Sequence, residues 1–240
     1  MGSSADWRDV MSTLQNRFLC IAPDLPGHGA SLRLPPGSYT IEGAARAVIG
    51  VLDEIGVGRA AIAGYSMGGR LALYLALRHP ERGSRLFLES ASPGLESAKE
   101  RTARRPADEE RALRLESGGF EAFVEDWYRQ PLFSSLAHDE RLLGRIIEAR
   151  RWNDPEELAR SLRGMGIGSQ PSLWAELVRL RVPALAVAGA LDPKFVGVSR
   201  RMAGLCPRMR AFIVSGAGHN VRVEAPEEYV ASLKDFLEAL

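Results

Sequence analysis

The sequence predicts an α/β fold in which a mostly parallel sheet carries helices on both faces. Short apolar runs alternate along the chain with longer amphipathic stretches, the pattern of strands joined by crossover helices. A serine flanked by glycines, Gly64-x-Ser66-x-Gly68, stands between one such run and one such stretch. With 240 residues, 45% of them hydrophobic, the chain is long enough to bury a full core.

The chain begins with a helix, a strand and a tight loop. Residues 6–16 read as a short amphipathic helix, and residues 18–22 as a buried strand. The Pro- and Gly-rich stretch 23–29 then predicts a defined turn. His28 lies in this turn between two glycines, where we interpret it as a structural hydrogen-bonding residue rather than a catalytic one.

The region around Ser66 predicts a nucleophile elbow, a sharp turn from a strand into a helix. The order expected here is helix 40–55 with Thr40 as its cap, strand 59–63, helix 70–79 and strand 84–90. Glycines at 64 and 68 would let the backbone reverse and leave the Ser66 hydroxyl exposed. The alternative is a Gly-rich turn with an incidental serine.

The alternation stops between Pro93 and about Trp174, where the sequence is helical and charged. Solvated helix faces would account for the charges alone. However, an insertion at this point hangs over the carboxyl ends of the strands, where ligands bind in open α/β folds. We therefore divide the chain into a first core part (1–92), a helical lid (93–180) and a second core part (181–240).

The second core part supplies two polar residues at strand ends. We expect strand 183–189, helix 199–205, strand 210–214 and helix 226–240. Asp192 and His219 then follow strands, as Ser66 does. A serine hydroxyl is inert at neutral pH unless a base takes its proton, and histidine suits that task. An aspartate would orient the imidazole, so the three residues predict a catalytic triad.

Composition excludes several other classes of protein. A net charge of +1 argues against a nucleic-acid binder. Cys20 and Cys206 stand far apart and indicate a reducing compartment rather than a disulfide framework. No apolar run reaches membrane-spanning length, and residues 1–6 lack a signal-peptide core. We expect a cytoplasmic monomer acting on a small anionic molecule, with no nucleic-acid or membrane partner, no metal and no cofactor.

The whole chain resembles the α/β-hydrolase fold family, whose triad residues follow the order of Ser66, Asp192 and His219. More narrowly, it is similar to the 2-succinyl-6-hydroxy-2,4-cyclohexadiene-1-carboxylate synthases of menaquinone (vitamin K2) biosynthesis. The segments that carry this likeness are 64–70, 126–133, 169–174, 189–195 and 217–220. The lid segments and Asp192-Pro193-Lys194-Phe195 are the more specific ones.

The resemblance implies a lyase that eliminates pyruvate from a cyclohexene bearing an enolpyruvyl ether, a succinyl group and a ring carboxylate. Ser66 would act as a base toward a ring proton, and the Met67 amide would donate to the oxyanion. Arginines suit such a substrate, because a guanidinium pairs bidentately with a carboxylate. The resemblance implies substrate-binding roles for Arg104 and Arg150, with Tyr65 and Trp127 lining the pocket. Arg70 lies one helical turn after Ser66 and can face the same pocket, whereas Lys194 either adds positive charge beside Asp192 or is simply exposed.

One departure concerns the N-terminal part of the family pattern. The family has a further strand, leading into a loop that supplies half of the oxyanion hole, before the segment found here at 2–7. We therefore expect strands near 18–22 and 60–64 without a full-length strand between them. The second oxyanion donor then has no source unless Met1 or Gly2 supplies it. Three functions stay open: the synthase, a serine hydrolase of small esters or C–C substrates, and an inactive truncated fragment or ligand-binding relic.

Overall fold

The computed structural model describes residues 1–239, and within them the strands form one parallel, four-stranded sheet. In sheet order, which is also chain order, the strands are β1 (Ala60–Tyr65), β2 (Gly83–Glu89), β3 (Ala184–Gly189) and β4 (Met209–Val214). Tyr65 pairs with Glu89, and Gly189 pairs with Val214. The carboxyl ends of the strands therefore meet at one edge, and the four predicted strands at 59–63, 84–90, 183–189 and 210–214 are confirmed.

Helices connect the strands along the chain, as the α/β prediction requires. The α-helices of the described residues are α1 (Arg8–Leu14), α2 (Ile41–Glu54), α3 (Met67–Arg78), α4 (Ala98–Glu116), α5 (Phe120–Tyr128), α6 (Glu140–Arg150), α7 (Pro155–Met165), α8 (Pro193–Leu205), α9 (Val221–Glu224) and α10 (Pro226–Glu238). Short 3-10 helices occupy Ser4–Trp7, Pro36–Tyr39, Pro131–His138 and Trp174–Arg179. None of the helices in the part of the chain that the structure describes combines the length and apolar character needed to cross a membrane.

The ends of α2 follow from local chemistry. The Thr40 hydroxyl accepts a hydrogen bond from the Gly43 amide at 3.0 Å, which confirms the predicted cap. After the helix, Gly56 adopts a φ of +70°, and the Val57 amide donates to the Leu52 carbonyl at 2.7 Å. A left-handed residue with this backward bond is the usual glycine termination of a helix.

Two helices in the second core part differ from the sequence-based expectation. The helix predicted at 199–205 begins at Pro193, because Asp192 caps it and proline is favoured in a first helical turn. The short helix α9 was not expected. The last helix ends at Glu238, and the predicted end of that helix at Leu240 lies outside the described residues.

The predicted strand at 18–22 is wrong. These residues form neither a helix nor a strand, and Leu19 is 79% exposed. Apolar character in a short run is a local property, whereas a strand exists only by pairing with a neighbour. Within the described residues, the four strands of the sheet pair only with one another, so this run stays unpaired.

The chain forms two compact units. The first comprises Met1–Ala44 and Ser97–Gln170, and the second comprises Ala45–Glu96 and the described chain from Pro171 onward. The first core part expected from sequence, 1–92, contributes to both units. The first unit contains a core built from α4, α5 and α7 around Ala112, Phe123, Leu158 and Ala159. The second unit contains all four strands, with α3, α8, α9 and α10.

Within the second unit, the two points where the intervening segment 97–170 leaves and returns are bonded together. The Leu173 amide donates to the Pro93 carbonyl at 2.8 Å, and the Trp174 indole N–H donates to the Gly94 carbonyl at 2.9 Å. The Arg201 guanidinium lies 4.1 Å from the centre of the Trp174 ring and so supports the indole from α8. The two places where the chain leaves this unit and re-enters it are thus fixed by contacts within the unit.

Candidate active site

Ser66 stands at a strained turn between β1 and α3. Its φ of 49° and ψ of −111° lie outside the regions that ordinary residues favour, at a cost of about 1–3 kcal/mol. The turn is held on both sides, since the Ser66 amide donates to the Glu89 carbonyl at 2.8 Å and the Arg70 amide donates to the Ser66 carbonyl at 3.0 Å. This geometry is that of a nucleophile elbow, in which the hydroxyl is presented at the carboxyl end of the sheet.

The steric role of the neighbouring glycines differs in part from the prediction. A Cβ at Gly64 would lie 2.4 Å from the Gly68 carbonyl oxygen, so Gly64 is required. A Cβ at Gly68 would meet nothing within 4 Å, and the prediction for that position is wrong. The second tight approach is at Gly69, whose added Cβ would lie 2.5 Å from the Ala91 Cβ. The turn is crowded on the side that faces β1 and the residues after β2, and Gly68 points away from both.

The two carboxylate oxygens of Asp192 make different hydrogen bonds and have different roles. Oδ1 accepts a hydrogen bond from the Phe195 amide at 3.1 Å and so caps α8. Oδ2 lies 2.8 Å from Nδ1 of His219. The residue is 6% exposed, so water competes little for either bond. The helix cap therefore fixes the carboxylate that orients the histidine.

The loop that carries His219 is held in place by close packing against β3 and by hydrogen bonds to a side chain of α9. Gly189 at the end of β3 approaches it so closely that a Cβ there would lie 2.2 Å from the Ala217 carbonyl oxygen. The Glu224 carboxylate accepts hydrogen bonds from the amides of Gly218 at 2.9 Å and Asn220 at 3.0 Å. Both amides adjoining His219 in sequence are thus anchored to α9.

The imidazole of His219 connects the carboxylate to the serine. With Nδ1–H donated to Asp192, Nε2 is left as an acceptor and lies 3.3 Å from Ser66 Oγ. The ring is 1% exposed and packs against Tyr65 at 5.4 Å and Phe195 at 4.7 Å between ring centres. This is the arrangement in which a histidine takes the serine proton while the aspartate stabilises the resulting imidazolium.

Met67 begins α3 directly after Ser66. The first amides of a helix have no intrahelical acceptor, and the helix dipole makes that end positive. The Met67 amide is therefore suited to an oxyanion at the serine. The absence of a second hydrogen-bond donor to the oxyanion stays a prediction.

Three further residues predicted for substrate binding lie in the second unit. Tyr65 contacts the triad directly through His219. Arg70 lies half-buried in the first turn of α3, one turn after Ser66. Lys194 is exposed at the start of α8, with its ammonium 5.4 Å from the centre of the Phe195 ring. The structure thus brings an aromatic ring to the triad and a cation to each of the two helices that begin beside it.

The other predicted substrate-binding residues belong to the first unit. Arg150 is 5% exposed, and its guanidinium donates to Asp6 at 2.8 Å and to the Tyr128 hydroxyl at 3.0 Å. Burial alone would lower the pKa of Arg150, but Tyr128 and Asp6 raise it above its ordinary value. Arg104 pairs with Asp108 at 2.7 Å within α4. Trp127 is half-buried and stacks on Phe123 with ring centres 6.1 Å apart.

His28 behaves as a structural residue. It is 5% exposed, and its Nδ1 lies 3.2 Å from the Pro26 carbonyl oxygen. Burial lowers the pKa of His28 to about 3, so the ring is neutral at physiological pH. This agrees with the interpretation from sequence.

Sequence reasoning missed three charged residues beside the triad. Glu89 ends β2 with no exposed surface, and the Arg222 amide donates to its Oε1 at 3.0 Å. Burial raises the pKa of Glu89 to about 7, although Arg222 acts in the opposite direction. Glu224 is the third, through its bonds to the His219 loop. The available signal was a lone glutamate closing the apolar run Leu86-Phe87-Leu88.

Comparisons with known proteins extend over nearly the whole chain. The α/β hydrolase fold family matches residues 1–226. A 2-succinyl-6-hydroxy-2,4-cyclohexadiene-1-carboxylate synthase of Serratia proteamaculans (strain 568) is 34% identical over 99% of this chain and 89% of its own length. A protein of Bacillus subtilis (strain 168), provisionally assigned the same name, is 38% identical over 100% of this chain and 88% of its own. Among solved structures, MenH from S. aureus has a TM-score of 0.94 at 33% identity, over 98% of this chain and 89% of that one.

Proposed function

Since the chain belongs to the α/β-hydrolase fold family and, within it, to the 2-succinyl-6-hydroxy-2,4-cyclohexadiene-1-carboxylate synthases, we propose that it is a carbon–oxygen lyase of menaquinone biosynthesis. Its reaction is the elimination of pyruvate from 2-succinyl-5-enolpyruvyl-6-hydroxy-3-cyclohexene-1-carboxylate. The observation that carries the proposal is the bridge from Asp192 through His219 to Ser66 in a chain with these relatives.

The names of substrate and product define the bond changes. The substrate ring has one double bond, at C3, whereas the product ring has two, at C2 and C4. A proton therefore leaves C2, the C2–H electrons form the new C2=C3 bond, and the former C3=C4 electrons form C4=C5. The C5–O bond breaks with its electrons on oxygen, and the enolpyruvyl group leaves as the enolate of pyruvate. That oxygen takes up one proton, which balances the proton lost from C2. No oxidant, reductant or water is consumed.

The triad supplies what this elimination requires. C2 adjoins the succinyl carbonyl, so removal of its proton places negative charge on that carbonyl oxygen. Ser66 Oγ takes the proton as its own proton passes to Nε2 of His219, and Asp192 stabilises the imidazolium that results. The Met67 amide at the start of α3 donates to the enolate oxygen. Because Ser66 acts as a base, no acyl-enzyme forms.

The substrate carries several carboxylates, which calls for cations around the triad. In the second unit, Arg70 and Lys194 follow Ser66 and Asp192 closely and suit this role. Substrate contacts by Arg104, Trp127 and Arg150 are supported by the family resemblance alone. The predicted role of segment 93–180 as a lid is supported by its place in the sequence, after the strand that follows the elbow.

Pyruvate release from the enolpyruvyl substrate tests the proposal. We expect turnover by the unmodified chain and a loss of roughly 10³-fold or more in Ser66→Ala, His219→Ala and Asp192→Asn, with double variants losing little more, because the three residues act as one unit. Ser90→Ala is the matched control, since Ser90 also has a positive φ and directly follows the neighbouring strand β2. We expect it to retain turnover.

Two results would redirect the assignment. A covalent acyl group trapped on Ser66 during turnover of a small ester, without pyruvate release from the enolpyruvyl substrate, would favour the serine hydrolase. Neither activity in a folded protein would favour the inactive fragment or relic. The cytoplasmic location, the monomeric state, and the absence of a cofactor, a metal, and nucleic-acid or membrane partners stay predictions.

A further inference from the structure

A buried ion pair lies beside the triad, at the carboxyl ends of β1 and β2. Glu89 has no exposed surface, and the Arg222 side chain is 4% exposed. The Arg222 amide donates to Glu89 Oε1 at 3.0 Å, and the Arg222 guanidinium lies 3.8 Å from Oε2. The catalytic steps described above use neither side chain.

The pair reaches the triad through one aromatic ring. The Arg222 guanidinium carbon lies 4.8 Å from the centre of the Tyr65 ring, within cation–π range. The same ring packs on the His219 imidazole at 5.4 Å between centres. Tyr65 and Glu89 are also paired across β1 and β2, so the sheet fixes their relative position.

A buried pair of this kind is poorly explained as a source of stability. Taking two charges out of water costs several kcal/mol per ion, and apolar side chains of similar volume often serve as well. Yet a charged residue, Glu89, directly follows the apolar run 86–88 and ends β2. We propose, given the function proposed above, that Glu89 and Arg222 are positioning residues for His219. Arg222 holds the Tyr65 ring against the imidazole, and Glu89 balances the positive charge that Arg222 brings near it.

The need for balance follows from the reaction. His219 becomes a cation when it accepts the serine proton, and a bare guanidinium nearby would oppose that step. A unit charge about 10 Å away at an effective dielectric constant of about 20 shifts a titration by roughly one pH unit. The Glu89 carboxyl group cancels most of this effect when it is ionised, which it becomes as pH rises toward and past its pKa of about 7.

Other charged groups border the two residues and belong in the same balance. Glu89 is faced by Arg222 and Glu224 from α9 and by Tyr229 from α10. His219 is faced by Asp192, and beyond the Phe195 ring by Lys194. Of these, only Glu89 and Arg222 change in the experiment.

The test follows the titration of the His219 imidazole by NMR, assigned by the signal lost in His219→Gln. The variants are Glu89→Gln, Arg222→Met and the double variant. We expect Glu89→Gln to lower the midpoint by about half a pH unit, because a carboxyl group with a pKa of about 7 is only partly ionised while the imidazole titrates. Adding Arg222→Met should return it to the value of the starting protein or up to about half a pH unit above it, because the unbalanced positive charge is then gone. The acid limb of kcat/KM for pyruvate release should move in parallel.

Arg222→Lys separates charge from ring contact. It keeps the positive charge but loses the planar group that stacks on Tyr65. We expect an unchanged midpoint with a lower kcat. Thermal melting is measured for every variant.

Overlapping midpoints in the starting protein, Glu89→Gln and the double variant, with changes only in melting temperature, would overturn the proposal and leave a structural pair. The NMR titration needs no substrate. If the midpoints move as expected while no variant releases pyruvate, the positioning role stands and the proposed function fails.

Discussion

Replacing Glu89 by glutamine should make the stability of the protein less sensitive to pH. The carboxyl group has no exposed surface, and its pKa rises from 4.5 to about 7 in the folded chain. Between these two values the folded state binds a proton that the unfolded state has already released. The free energy of unfolding therefore falls as pH rises through this window. Glutamine has a similar shape and does not titrate.

The size of the effect follows from the two pKa values. One pKa unit corresponds to about 1.4 kcal/mol, so the difference between them corresponds to about 3 kcal/mol over the full window. Between pH 5 and pH 8, a range that covers most of that window and extends past its upper end, we expect the stability of Glu89→Gln to rise by roughly 2–3 kcal/mol relative to the unmodified chain.

Urea denaturation at pH 5, 6, 7 and 8, followed by circular dichroism, measures this difference. Leu88→Val is the control, because Leu88 is the fully buried neighbour on β2 and its change should give an offset that does not vary with pH. If the unmodified chain and Glu89→Gln gave parallel curves over this range, the inference that the buried Glu89 carboxyl group titrates near pH 7 would be wrong. Equal slopes of unfolding against urea in both proteins are needed for the comparison.

Three other changes have distinct expected outcomes. Gly64→Ala should lower stability by about 1–3 kcal/mol and impair turnover, because its Cβ meets a carbonyl oxygen. Gly68→Ala should be neutral or slightly stabilising in thermal melts, and equal losses of stability in the two variants would contradict the crowding at Gly64. Asp192→Asn should keep the α8 cap and reduce turnover by roughly 10³–10⁴-fold, and Asp192→Ala should lose about 1 kcal/mol of stability as well. A large change of melting temperature in the Asn variant would argue against separate roles for the two carboxylate oxygens in capping α8 and orienting His219. Arg70→Ala and Arg150→Ala should weaken use of the anionic substrate by roughly 2–5 kcal/mol where the lost pair is buried, with Lys restoring part of it; unchanged kcat/KM in both would remove the case for a cationic pocket.

Much of the fold and of the triad is predictable because the relevant signals are local. Ser66, Asp192 and His219 each follow an apolar run, and parallel strands bring their carboxyl ends to one edge. Chain order and residue type then suffice to predict the triad. The start of α8 was also within reach, since an aspartate followed by proline is a strong helix-start signal.

The remaining features depend on contacts between distant parts of the chain. The run at 18–22 has the composition of a strand, but pairing decides whether it becomes one. Gly68 and Gly69 look alike in sequence, and only the packing of Ala91 distinguishes them. The partners of Arg150 illustrate the same limit, because Asp6 lies far away in sequence. Burial of Glu89 likewise depends on α9 and α10, which follow more than a hundred residues later.

The stapled junction at Pro93, Gly94, Leu173 and Trp174 has a consequence for how such a protein can change over time. Both ends of the intervening segment are tied by bonds that belong to the sheet-bearing unit. The entropy of closing a loop grows only with the logarithm of its length, so a longer or shorter insert pays nearly the same closure cost. The segment between the two ends of this junction can therefore be lengthened, shortened or exchanged during evolution. The register of β2 and β3, and the acid–base chemistry built on them, would stay as it is.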